Sequence, residues 1–308
     1  MASNFGGFPN IGQPALPQIP WRQVLIWGGG LGSIGGILLA TVWLLDVFTN
    51  FWWFGNLGYE GIYQTILFHR IWLLLAGILL FAAISSFNIL LTYRYGRGPQ
   101  VTPIAEDTLA LLRPLTLVGV IFVIAVASLI FGGAAGSKWP TVLGFIHSTP
   151  FNVADPQFDK DISFFVFTLP LHHVVQSWLL GALIVSTLMT MTMYFIHFTL
   201  RGAVFSMTIP VRVHISVLGA LLLFVFGYGY WLDTYDQVFS TGGAVVGATY
   251  ADVKAGIPSL RILTVIVTVG GFLLLANAFW FRSVRLIVGI AGLWMGSMII
   301  LVFLVPAG

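Results

Sequence analysis

The stretch IWLLLAGILLFAAISSFNILL, Ile71–Leu91, contains no Asp, Glu, Lys or Arg. A helix rises 1.5 Å per residue, so this run is about 31 Å long, close to the thickness of a bilayer's hydrocarbon core. It reads as a membrane-spanning helix. Six runs of the same kind flank it: Val24–Leu45, Leu115–Gly136, Val174–Phe198, Val213–Leu232, Ile262–Phe281 and Val284–Val305. The expected fold is therefore all-α, a polytopic integral membrane helical bundle. It has about seven transmembrane helices, with interfacial segments in the outer loops. Residues 1–22 form a Pro/Gly-rich cytoplasmic tail, and residues 23–308 the seven-helix transmembrane domain.

Composition agrees. The chain is 58% hydrophobic and 7% charged, against roughly 25% charged in an ordinary soluble domain. Its net charge of +3 comes from dispersed basic residues, which gives no expectation of nucleic acid. With no cysteine, disulfides, thiol catalysis, cysteine-ligated clusters and covalent c-type haem are excluded. Residues 1–20 carry no basic segment followed by an apolar one, so the first span is expected to stay as an anchor. The same stretch is uncharged, and reads as a disordered tail unless a neighbouring subunit holds it.

Loop charge predicts an orientation. Eight basic residues fall on the side of the amino terminus: Arg22, Arg94, Arg97, Arg113, Arg201, Arg212, Arg282 and Arg285. Two acids, Glu106 and Asp107, join them. The other side holds five bases, Arg70, Lys138, Lys160, Lys254 and Arg261, and the remaining eight acids. An excess of Lys and Arg marks the cytoplasmic side. The amino terminus is expected in the cytoplasm and the carboxyl terminus outside, in a bacterial cell membrane or an intracellular photosynthetic one. No charged residue lies near the middle of a span, whereas ion pathways and proton relays usually show intramembrane charge.

The first outer loop, DVFTNFWWFGNLGYEGIYQTILFHR, is crowded with aromatic residues from Phe48 to Tyr63. Such rings favour the membrane–water interface, and the loop reads as one or two short interfacial helices. In the second outer loop, FDKDISFFVF (158–167) suits a short interfacial segment leading into the fourth span. In the third, Gly242, Gly243, Gly247 and Gly256 permit tight or re-entrant backbone.

Gly30, Gly32 and Gly35 match G-x-G-x-x-G. A dinucleotide fingerprint needs a strand before it and a helix opening after it, and this match sits inside an apolar span. Gly28, Gly32 and Gly36 form two successive G-x-x-x-G steps, and Gly292 and Gly296 repeat the spacing in the last span. Such steps make a groove for close helix packing, with a partner inside the chain or on another subunit.

Among the histidines, His172 and His173 open the fourth span, His197 lies near its far end, and His214 begins the fifth. His197 with His214, or His147 with His172, could face one another at one depth, as a haem requires. A chlorophyll-type pigment would need one imidazole in an apolar cavity. The ordinary expectation for histidines at polar boundaries is capping and hydrogen bonding. Asp233, Asp236 and Asp252 lie in one outer loop. Three carboxylates suit a divalent cation such as Ca²⁺, or face water, or pair with Lys254 and Arg261. No H-E-x-x-H or G-x-S-x-G pattern occurs, and the chain is not expected to be an enzyme.

Three segments resemble the outer-loop motifs of the bacterial membrane proteins known as uncharacterised protein family 0182. They are DVFTNFWWFGNLGY (46–59), FDKDISFFVFTLP (158–170) and GYGYWLDTYDQVFSTGGAVVGATYADVKAGIPSLRIL (227–263). The resemblance runs from about Val24 onward. It implies seven amino-terminal spans with the carboxyl end outside, followed in typical members by a large extracytoplasmic domain absent from this sequence. It implies no catalytic residues. The expected role is an accessory or scaffolding subunit of a larger membrane complex, its partners being the lipid bilayer and other membrane subunits. The alternatives are a transporter or channel, and a pigment- or haem-binding subunit of a photosynthetic or respiratory assembly.

Overall fold

The computed structural model describes residues 21–96, 106–200, 207–241 and 246–304. The expected tail (residues 1–20) and Gly242 and Gly243 of the third outer loop lie outside these. The described chain is mostly helical: α1 (Trp21–Asn56), α2 (Glu60–Tyr95), α3 (Glu106–Gly136), α4 (Trp139–Ile146), α5 (Leu169–Thr199), α6 (Ile209–Asp236), α7 (Ile257–Ala276) and α8 (Val284–Met298). Among the described residues no strand forms, only an isolated bridge between Ala154 and Asp161. Seven helical segments are long and apolar enough to cross a membrane. Their limits run past the apolar stretches, because a helix's hydrogen-bond ladder continues where the hydrocarbon ends. Thus α1 and α2 have 36 residues each, about 54 Å at 1.5 Å per residue.

The chain divides into two compact units, Met1–Thr65 and Ile66–Gly308. In the first, α1 runs straight through the aromatic stretch that was expected to form separate interfacial helices. Nothing between Asp46 and Phe54 breaks a helix, and the chain turns only at Gly58, whose φ is 76°. There the N–H of Tyr59 donates to the carbonyl of Phe54 (2.9 Å), and that of Gly58 to Gly55 (3.0 Å). This pair of bonds is the Schellman ending, which needs glycine in the left-handed region. Beyond the turn, Tyr63 stacks on Phe54 with ring centroids 5.3 Å apart.

In the second unit, proline in the first turn starts α4 and α6, where its missing N–H costs nothing, whereas Pro170 of α5 and Pro258 of α7 follow directly on π-helical turns, Phe164–Thr168 and Asp252–Gly256. The core lies along α5, α6 and α7. Leu223, Leu263, Val267 and Leu274 are buried there with Ile290 of α8. Glycines set how closely these helices approach. A side chain at Gly271 would meet the ring of Phe224 at 2.6 Å, and one at Gly227 the hydroxyl of Thr268 at 3.0 Å. The same device joins α3 to α2, since a side chain at Gly132 would lie 2.7 Å from the carbonyl oxygen of Leu74. One at Gly136 would lie 3.0 Å from that of Arg70. Phe131 then stacks on Phe81 at 4.3 Å, while its carbonyl accepts the indole N–H of Trp178 on α5 (3.0 Å).

This unit has an acidic end, carrying the 137–163 and 237–256 connections, and a basic end, carrying Arg94, Arg113, Arg212, Arg282 and Arg285. At the acidic end the long connection is folded by two carboxylates. Asp161 accepts the backbone N–H groups of Phe151 (3.1 Å), Asn152 (2.7 Å) and Ser163 (2.8 Å). Asp155 accepts those of Gln157 (3.0 Å) and Phe158 (2.8 Å). Ser163 then leads into a π-helical turn, Phe164–Thr168, continuous with α5, so the fourth span begins earlier than its apolar run. At the basic end the α7–α8 corner is wired through Asn277. Its amide donates to Ser216 of α6 (2.9 Å) and to the carbonyl of Ser283 (3.1 Å), and its oxygen accepts the N–H of Ser283 (2.8 Å). Arg282 takes the left-handed conformation (φ 51°) that this corner needs.

Candidate functional site

α5 and α6 run antiparallel, so the second turn of one lies beside the last turn of the other. His173 on α5 thereby meets Asp233 and Asp236, which are three residues apart on α6 and share a face. One ligand atom from each of these three half-buried side chains lies within 4.8 Å of the others. His173 Nε2 stands 2.9 Å from Asp236 Oδ2. That nitrogen is closed off from water yet off the line of a hydrogen bond. The contact is short but is not a directed hydrogen bond.

On the flanking turns, Phe165, Leu169 and Leu232 form a buried apolar cluster. Tyr235 packs its ring against Phe158 (4.8 Å), Trp231 (5.1 Å) and Phe164 (5.2 Å). The neighbouring His172 turns away and bonds through Nδ1 to the hydroxyl of Tyr228. One imidazole with two carboxylates is a mixed N/O donor set. It suits Zn²⁺ or Mn²⁺ better than Ca²⁺, which takes oxygen ligands.

The expected triad of Asp233, Asp236 and Asp252 is thus only partly assembled. Asp252 accepts the backbone N–H (2.9 Å) and hydroxyl (2.8 Å) of Thr249, whose oxygen accepts the Asp252 N–H (3.2 Å). This is a reciprocal capping box, legible as Thr-x-x-Asp ahead of the helical segment. The carboxylate is spent on the start of a helix, and His173 stands where Asp252 was expected.

The other histidines are placed as follows. His214 is buried, with Nε2 3.0 Å from Asn88 Oδ1 and Nδ1 2.8 Å from the hydroxyl of Tyr194. Asn88 also donates to Ser186 (3.1 Å). This Ser186–Asn88–His214–Tyr194 chain ties α2, α5 and α6 together near the basic end. Both ring nitrogens of His214 are engaged, and an axial metal ligand needs one free. His197 lies edge-on to Tyr93, with centroids 4.6 Å apart. His147 Nδ1 contacts the carbonyl of Leu143 at 3.1 Å.

Reading the sequence by charge alone missed Asn88 and Asn277. Both are uncharged amides inside apolar runs, and a buried amide demands partners. Within their own units the glycines of the first and last spans are open, since no atom there lies within 4 Å of where a side chain would begin at Gly28, Gly32, Gly36, Gly292 or Gly296. A further G-x-x-x-G step, Gly132 and Gly136, packs against α2.

A family-wide sequence profile, described as Uncharacterised protein family (UPF0182), matches residues 29–308. A UPF0182 protein of Moorella thermoacetica is 30% identical over 293 residues, covering 91% of this chain and 32% of its own length. One from Kineococcus radiotolerans is 34% identical over 238 residues, covering 74% of this chain and 23% of its own length. One from Methanospirillum hungatei is 30% identical over 277 residues, covering 83% and 29% respectively. This chain therefore spans a third or less of the length of these curated relatives. No solved structure matches it.

Proposed function

We propose that this chain, which belongs to Uncharacterised protein family (UPF0182), is a non-catalytic membrane scaffold that assembles with other membrane subunits, its amino terminus in the cytoplasm. The observation that carries this reading is the split between two sets of glycines. Gly132, Gly136, Gly227 and Gly271 are filled by neighbours in their unit, whereas Gly28, Gly32 and Gly36 on α1 and Gly292 and Gly296 on α8 meet no atom within their own units. Small residues at this spacing are enriched where membrane helices meet, so the open set offers a surface to a partner. The buried polar groups favour a scaffold over a transporter. Asn88, His214, Tyr194 and Ser186 bond to each other, as do Asn277 and Ser216, and such pairs lock helices.

The test compares three variants. Gly132→Leu drives a side chain into α2 and should lower the melting temperature, overpacking costing about 1–3 kcal/mol. Gly32→Leu and Gly292→Leu meet no neighbour within their own units, so on this reading melting should hold while co-purifying subunits, counted by native mass spectrometry, are lost. Undiminished co-purification with both would remove the scaffold reading.

The unaligned, water-excluded Nε2 of His173 favours a second reading, a structural divalent cation at His173, Asp233 and Asp236. An ion there would offset the repulsion of the two carboxylates. Melting of the wild type should fall with EDTA and recover with micromolar Zn²⁺ or Mn²⁺ more than with Ca²⁺. Asp236→Asn should abolish the response and Asp252→Asn preserve it. Identical melting in all conditions means a plain His–Asp contact with no ion.

A further inference from the structure

We propose that the basic end of the second unit holds a specific anionic phospholipid, its phosphate on Arg113 and one acyl chain between α3 and α5. Two cavities carry this. The first, about 440 Å³, opens at the basic end and is lined, among the described residues, by Arg113, Tyr93, His197 and apolar neighbours. The second, about 420 Å³, is almost wholly apolar, lined by residues such as Gly119, Val123, Val185 and Leu188. Thr116 and Met193 line both, so the two adjoin along α3 and α5.

Their order along the helices is that of a lipid. α3 enters the bilayer from the basic end and α5 leaves towards it. The groove therefore runs inward from the charged cleft. From Met193 to Val185 it extends about 12 Å at 1.5 Å per residue. A guanidinium grips phosphate oxygens through its planar fork of donors, and the phenol of Tyr93 adds a donor beside it. No acid lines the cleft among the described residues. A soluble anion would use the first cavity and leave the second bare. A zwitterionic lipid would bring a positive headgroup against Arg113. Basic pockets between helices on the cytoplasmic side are a known setting for anionic headgroups, which agrees with the orientation proposed above.

The groove wall is open at Gly119, where no atom lies within 4 Å of a would-be side chain. Gly119→Leu can therefore block the chain site without straining the fold. The experiment uses delipidated whole protein in detergent and native mass spectrometry, with melting temperature as the check on folding. The probes are long-chain phosphatidylglycerol, phosphatidylcholine, dihexanoyl phosphatidylglycerol and inorganic phosphate. Wild type should retain long-chain phosphatidylglycerol in preference to phosphatidylcholine. Arg113→Gln should cut that preference about five- to tenfold, the effect of one cation at an anionic headgroup. Arg113→Lys should keep most of it, and Arg285→Gln, at the same end, all of it. Gly119→Leu should weaken long-chain binding and leave the short-chain lipid unaffected. The proposal is overturned if folded Arg113→Gln keeps the wild-type preference, if Gly119→Leu binds long chains as the wild type does, or if inorganic phosphate displaces the lipid at equal concentration.

Discussion

At the residue scale, the polar side chains of this chain act mostly on its own backbone. Asp161 is the clearest case. Hydrogen bonds from the Ser163 side chain, and then from the N–H groups of Ser163, Phe151 and Asn152, hold its carboxyl at about 2, below its ordinary 3.8. A carboxyl depressed in the folded state stabilises the fold fully above its unfolded value and loses that contribution as pH falls through its folded one. The 150–163 connection should therefore loosen between about pH 4 and pH 2. Hydrogen exchange at Phe151, Asn152 and Ser163, corrected for intrinsic rates, should show protection falling across that window. Asp161→Asn should have low protection at every pH. Flat protection in the wild type would mean that the loop is held by something else. These roles were partly readable. Asp161 two residues before Ser163, and Thr249 three before Asp252, are capping spacings. The meeting of His173 with Asp233 and Asp236 was not readable, because it depends on the register of α5 against α6, which no local pattern encodes. Asn88 and Asn277 stood in plain view inside apolar runs, yet their partners, His214 and Ser216, come from another helix.

At the scale of elements, the number and type of the long helical segments followed directly from the apolar runs, because hydrocarbon leaves a spanning backbone little alternative to hydrogen-bonding with itself; the short α4 answers to none of those runs. The ends were harder. Apolarity reports where the membrane stops, whereas a helix stops where a residue can turn the chain. Hence α1 continues through Phe51–Phe54 to Gly58, and the fourth span starts with the turn at Phe164. The glycine faces show a further limit. Spacing alone cannot distinguish Gly28, Gly32 and Gly36 from Gly132 and Gly136. Both are small residues one turn apart, and only the packed structure shows that α2 fills the second set. For the first set, G-x-x-x-G in a membrane helix states what kind of surface is present and leaves its occupant to be found. That is why the scaffold reading is tested by placing leucine in both sets rather than in one.

At the scale of the whole molecule, the charges at the two ends constrain how the bundle lies in the membrane. Of 13 basic residues, eight fall at the basic end or on its side of the chain, while eight of ten acids fall on the other. Only the Lys and Arg bias directs insertion, since acids contribute little, so the argument rests on a ratio of eight to five. It is strengthened by position. Arg94, Arg113, Arg212, Arg282 and Arg285 all lie in or beside the ends of described helices, within the distance over which such charges count. Because the chain has no cysteine, single substitutions report without background. Ser148→Cys, in the exposed acidic-end connection, and Ala307→Cys should react with an impermeant maleimide on intact cells. Ser3→Cys should react only after lysis. The reverse pattern would keep seven spans and overturn the charge reading, and with it the cytoplasmic placing of the lipid cleft. Labelling of Ser3→Cys and Ala307→Cys from one face would require an even number of crossings, and α1 or α8 would then have to lie outside the bilayer.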